Sequence, residues 1–90
     1  MIFKAKQLIG LLVQTLSGQD LGQLKDLVIN TDNSQIIKYI VAPSKLVAKI
    51  LNSELIVDQS QIIEITEQKI IVADNTVADP AVVEAQPQAN

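Results

Sequence analysis

Short aliphatic runs separated by small polar residues organise this chain. Residues 8–42, LIGLLVQTLSGQDLGQLKDLVINTDNSQIIKYIVA, read as three consecutive strands: Leu11–Thr15, Gln23–Asn30 and Gln35–Ala42. β-Branched residues dominate them, and such side chains fit a pleated, half-buried surface. Leu16-Ser17-Gly18-Gln19-Asp20 forms the first turn. There Gly18 supplies a positive φ, and Ser17 and Asp20 bond nearby backbone. Thr31-Asp32-Asn33-Ser34 forms the second, with Asn33 expected in the left-handed conformation. Gly10 and Gly22 stand at the starts of the first two strands, where glycine signals a bulge, a bend or a close backbone approach.

The alternation within these strands is imperfect, and the departures carry information. In the second strand Leu24, Asp26 and Val28 would share one face, and Leu27 and Ile29 the other. Either a bulge switches the phase or both faces are partly covered. In the third, Ile37, Tyr39 and Val41 oppose Ile36, Lys38 and Ile40. An antiparallel strand with one wet face alternates apolar and polar residues. This one is aliphatic on both sides, so a second chain is expected over Leu27, Ile29, Ile36, Lys38 and Ile40, the candidate interface of a homodimer.

Pro43 ends the third strand, since it cannot donate to a ladder. Ser44 is placed to cap a helix over Lys45–Asn52, in which Leu46, Val47, Ile50 and Leu51 recur at helical spacing opposite Lys45 and Lys49. Three short strands follow: Glu54–Val57, Ile62–Thr66 and Lys69–Asp74. Asp58-Gln59-Ser60-Gln61 reads as a tight or 3₁₀ turn, and Glu67-Gln68 as a hairpin. The pattern is thus a mainly β fold of six strands with one short helix, in a single domain over residues 1–75. Residues 76–90 hold two prolines and lack periodicity, so a disordered tail is expected there, with Val82 and Val83 as its only docking point.

Composition narrows the chemistry. The 90 residues hold no Cys, no His and no Trp. Without Cys there is no disulfide or thiolate site. Without His there is no Ser-His-Asp arrangement and no zinc site of the usual kind. All seven basic residues are Lys, so the planar fork that grips phosphate is missing. Residues 1–50 carry six Lys against three Asp, and residues 51–90 one Lys against seven acids. A surface poor in Arg and aromatics is ill suited to nucleic acid, which calls for basic grooves and stacking platforms. No apolar run reaches the about 20 residues that span a bilayer. The first residues lack an A-x-A-like cleavage site, so we expect a cytoplasmic protein.

Several chemical patterns fail on inspection. Asn30, Asp32 and Ser34 have the spacing that opens a calcium loop, but Gln35 and Val41 stand where Gly and a bidentate Glu belong. Glu64 with Glu67, and Ser44 with Lys45 or Lys49, read as solvated turn residues rather than catalytic pairs. Gly18 and Gly22 precede no helix and make no phosphate loop. We therefore expect no catalytic, cofactor or metal site and no enzymatic activity.

A family resemblance joins these elements. Gly10-Leu11-Leu12-Val13, Thr15, Ser17-Gly18-Gln19, Leu21-Gly22, Leu24, Asp26, Val28 and Ile29 resemble the N-terminal half of a PRC-barrel domain. Glu54-Leu55-Ile56-Val57, Ser60-Gln61-Ile62-Ile63-Glu64-Ile65 and Lys69-Ile70-Ile71-Val72 resemble its C-terminal half. The resemblance implies a small six-stranded antiparallel β-barrel that serves as a protein-binding scaffold. Family members include the cytoplasmic domain of a photosynthetic reaction-centre protein, the C-terminal half of a ribosome maturation factor, and stand-alone bacterial and archaeal proteins. We expect neither a membrane anchor ahead of the barrel nor a second barrel in this protein. The expectation is accordingly a stand-alone, non-enzymatic protein-interaction module that self-associates and meets an unidentified protein partner. A ribosome-assembly role is the alternative that the maturation factor suggests.

Overall fold

The computed structural model describes residues 1–51 and 53–77. Its elements are α1 (Ala5–Leu8), β1 (Leu12–Thr15), β2 (Asp20–Asn30), β3 (Gln35–Pro43), α2 (Lys45–Ala48), β4 (Leu55–Asp58), β5 (Ile62–Ile65) and β6 (Lys69–Val72), with 3₁₀ turns at Gln59–Gln61 and Asp74–Val77. The six strands form one sheet in the order β4-β3-β2-β1-β6-β5.

Two features of the expected barrel are corrected. The sheet is mixed, because β1 and β6 run parallel, Leu12 opposite Lys69 and Thr15 opposite Val72. The ladder is also not closed, since β4 and β5 are its two ends. Yet these ends are consecutive in the chain and are joined by the three residues of the Gln59–Gln61 turn. So short a link between opposite ends of a six-stranded order requires the sheet to curl. A turn, rather than a row of hydrogen bonds, brings its ends together. The turn is pinned by Asp58, whose carboxylate accepts the Ser60 N–H at 2.9 Å, and by Gln61, whose Oε1 accepts the Asp58 N–H at 3.0 Å.

Curling puts one face inside. Leu8, Val13, Leu21, Leu24, Tyr39, Val41, Val47, Leu55, Val57, Ile70 and Val72 make the buried core, drawn from every strand but β5 and from both helices. Ile62 and Ile65 of β5 pack against it. The irregular phase of β2 is resolved by bulges. Lys25 is an extra residue between the pairs Leu24–Val41 and Asp26–Ile40, and Ile37 is extra in β3 between Lys38 and Ile36. A one-residue bulge reverses the alternation downstream. Leu24 and Leu27 therefore both face the core, although three positions apart.

The helices are shorter than the pattern suggests. Ser44 does cap α2, its Oγ accepting the Val47 N–H at 3.3 Å, but regular helix ends at Ala48 rather than Asn52. Asn52 lies outside the described residues. α1, absent from the sequence reading, turns Leu8 into the core after Gln7 accepts the Lys4 N–H at 2.6 Å. The domain extends past Asn75, for Thr76 is fully buried within the last 3₁₀ turn. The remainder of the expected tail, including Val82 and Val83, lies outside the described residues.

Candidate functional site

Residues directly opposite on neighbouring strands share a face. Val28 pairs with Lys38 and Asp26 with Ile40 across β2 and β3, and Ile40 with Ile56 and Lys38 with Asp58 across β3 and β4. Their inner neighbours are the buried Tyr39, Val41, Leu55 and Val57. The six residues Asp26, Val28, Lys38, Ile40, Ile56 and Asp58 thus form one patch on the outer wall. Its centre is apolar: Ile56 is 51% exposed, Val28 is 38% exposed, and Ile40 between their strands is half-buried.

Ion pairs frame the patch. The Lys38 ammonium meets the Asp58 carboxylate at 2.8 Å, and Lys25, on the bulge, pairs with Glu54 just ahead of β4. The Lys38 hydrogen bond, joined by the Ser60 hydroxyl at 2.6 Å and the Ser60 N–H, holds the Asp58 carboxyl well below the usual carboxylate range. Glu54 in turn raises the Lys25 ammonium above its ordinary value. Both cations on this wall are spoken for within the chain.

The five residues proposed from sequence as an interface do not lie together. Lys38 and Ile40 are on the outer wall. Leu27 and Ile36 pack against the core, on the opposite side. Ile29 pairs with Ile36 and so shares its side, 54% exposed toward the end of the β2–β3 ribbon. Sequence reasoning missed Ile56, whose place beside Ile40 depends on the β3–β4 register. Only the strict alternation of Leu55, Ile56 and Val57 hinted that one of them faces out.

The turn residues are placed as follows. Gly10, Gly18 and Gly22 have φ of 94°, 100° and 139°. In the β2–β3 turn the left-handed residue is Ser34, with φ 61°, not Asn33. Asn33 instead accepts the Gln35 N–H through Oδ1 at 3.1 Å, a local bond that anchors the turn from one position earlier.

The residue sets weighed for other chemistries lie as follows among the described residues. Asn30 spends Oδ1 on the Asp32 N–H at 2.9 Å, and Glu64 and Glu67 are exposed. Ser44 is a cap whose hydroxyl also donates to the Asp20 carbonyl at 3.2 Å. A surface depression of about 510 Å³ lies over this junction, lined by Asp20, Gly22, Pro43, Ser44 and Lys45 among others. Its Asp20 carboxylate accepts the Gly22 N–H at 3.0 Å and its Ser44 hydroxyl caps α2, so these two groups serve the backbone around them. Among the described residues, no group of three or more His, Cys, Asp or Glu gathers as metal ligands would.

The model of the PRC-barrel domain family matches residues 1–78. This chain belongs to the PRC-barrel domain family. Comparison with curated proteins found no match. In this PRC-barrel the name describes a curled mixed sheet whose closing seam is the Gln59–Gln61 turn. No helix among the described residues is long and apolar enough to cross a membrane.

Proposed function

We propose that this PRC-barrel is a non-enzymatic, cytoplasmic protein-interaction module that pairs with a second copy of itself through the outer wall of β2, β3 and β4. The observation that carries the reading is the apolar centre of that wall, Ile56 beside Ile40 with Val28 one strand further. Strand faces turned to water alternate with polar residues. Here two directly opposed isoleucines occupy the position that water would reach. The charges support a copy of the same chain over a strongly signed partner. Lys38 is matched by Asp58 and Lys25 by Glu54, which leaves Asp26 as the patch's unmatched charge.

A small domain also gains from such a contact. It buries a modest share of its chain's surface alone, and each further aliphatic side chain covered adds about 1.5–3 kcal/mol when burial is complete. The test is the molar mass in solution by light scattering at tens of micromolar. Twice the chain mass is expected, and the mass of one chain at every concentration would overturn the proposal.

A further inference from the structure

A second apolar surface lies on α2, away from the outer wall. Three stripes run along this helix and its last turn, each spaced by four residues. Val47 is fully buried and Leu51 packs against the core. Leu46 and Ile50, one position back, are 58% and 40% exposed. Lys45 and Lys49, a further position back, are exposed and stand outside both ion pairs of the described residues. No acid occurs between Asp32 and Glu54, and the nearest by contact is Asp20, whose carboxylate is turned to the Gly22 N–H. This surface is therefore apolar with two free cations along one side.

The last described turn and the start of α2 both bond to the region of the β1–β2 hairpin. Ser17 donates its N–H to Asp74 at 2.8 Å, which ties the last 3₁₀ turn to the β1–β2 hairpin. Three positions on, the Asp20 carbonyl takes the Ser44 hydroxyl at the start of α2. Residues 78–90 follow from this point, and they include Asp79, Val82, Val83 and Glu84 but no basic residue. Val82 lies five positions beyond Val77, a reach of up to about 17 Å. Two adjacent valines bracketed by acids are the complement of two isobutyl-type side chains bordered by lysines.

We infer that α2 is a docking surface for the chain's own segment Asp79–Glu84, with Val82 and Val83 over Leu46 and Ile50 and the acids toward Lys45 and Lys49. The segment would then cover in cis a surface that the fold leaves open. This inference does not depend on the outer wall, and the two fail separately.

The test uses the full chain, which carries no Cys and so accepts one label site. A nitroxide is placed on Gln86→Cys, and amide signals are compared before and after its reduction. Loss of the Leu46–Leu51 amides, with those of β5 and β6 retained, is expected. The loss should fade in the Leu46→Glu variant, an exposed substitution that the core tolerates, and in high salt, where exposed charges are screened. Uniform broadening, none, or loss confined to Ile40 and Ile56 would overturn it. So would loss on an unlabelled, isotope-enriched chain mixed with a labelled one, which would assign the segment to another copy.

Discussion

A Cβ built on Gly22 would lie 2.0 Å from the carbonyl oxygen of Ala42, on the strand paired with it. No side chain fits there, and φ of 139° at this residue is itself strained for any L residue. Backbone, not a flexible side chain, occupies the space, so a substitution must push β2 and β3 apart. Gly18 provides the contrast, for it too has positive φ, yet nothing lies within 4 Å of its would-be Cβ. We predict that Gly18→Ala costs about 1–2 kcal/mol, the left-handed penalty alone. Gly22→Ala should cost more than that, about 4 kcal/mol or loss of folding. Urea unfolding of the two variants beside the parent chain measures the difference.

Asp58 makes stability depend on pH. Its carboxyl is held low when folded, chiefly by Lys38 and then by Ser60. A group with a depressed folded pKa stabilises above its unfolded value, near 3.9, and loses that contribution as pH falls through the folded one. The side chain is 44% exposed, so solvent screening limits the effect. Asp58→Asn should cost about 0.5–1 kcal/mol at pH 7. The gap between the curves of the two proteins should narrow below about pH 4. Urea midpoints taken from pH 7 down to pH 2 check this.

Tyr39 is the sole tyrosine, and burial pushes its phenol above the ordinary value. The absorbance change of phenolate formation should have its midpoint above pH 10 in the folded protein and return to about 10 in urea. Because the folded state disfavours the charged form, stability is intact below the unfolded value. It should fall as pH rises beyond it.

Thr76 is fully buried, whereas Asp74 and Asn75 just ahead of it in the turn are exposed. The last turn is therefore part of the packed domain. A chain stopped after Asn75 should lose about 2 kcal/mol relative to the full chain. Thermal or urea unfolding of the truncated form reads this out.

The sequence made the strands legible because each is an aliphatic run between turn residues, and five of the six begin within one residue of the expected start. β2 is the exception, starting three residues early, because Asp20 and Gly22 pair across the hairpin with β1, whereas the pattern placed Asp20 in the turn and Gly22 at the opening of the strand. Faces were harder to read. The broken alternation of β2 allowed a bulge, but a bulge adds one residue without changing composition, so nothing marked Lys25 or Ile37 as the extra residues that send Leu27 and Ile36 inward. The parallel pairing of β1 with β6 joins segments more than fifty residues apart, and no local pattern encodes it. Ile56 was missed for the same reason: its neighbour Ile40 is sixteen positions away and becomes visible only through register.

The claim of self-association rests most directly on Ile56. Sedimentation velocity should be run from low to high micromolar on the parent chain and on Ile56→Glu, with circular dichroism confirming that both are folded. A concentration-dependent dimer is expected for the parent, and a single-chain species for Ile56→Glu throughout. A parent that sediments as one chain at every concentration, or a variant that dimerises as well as the parent, would contradict it.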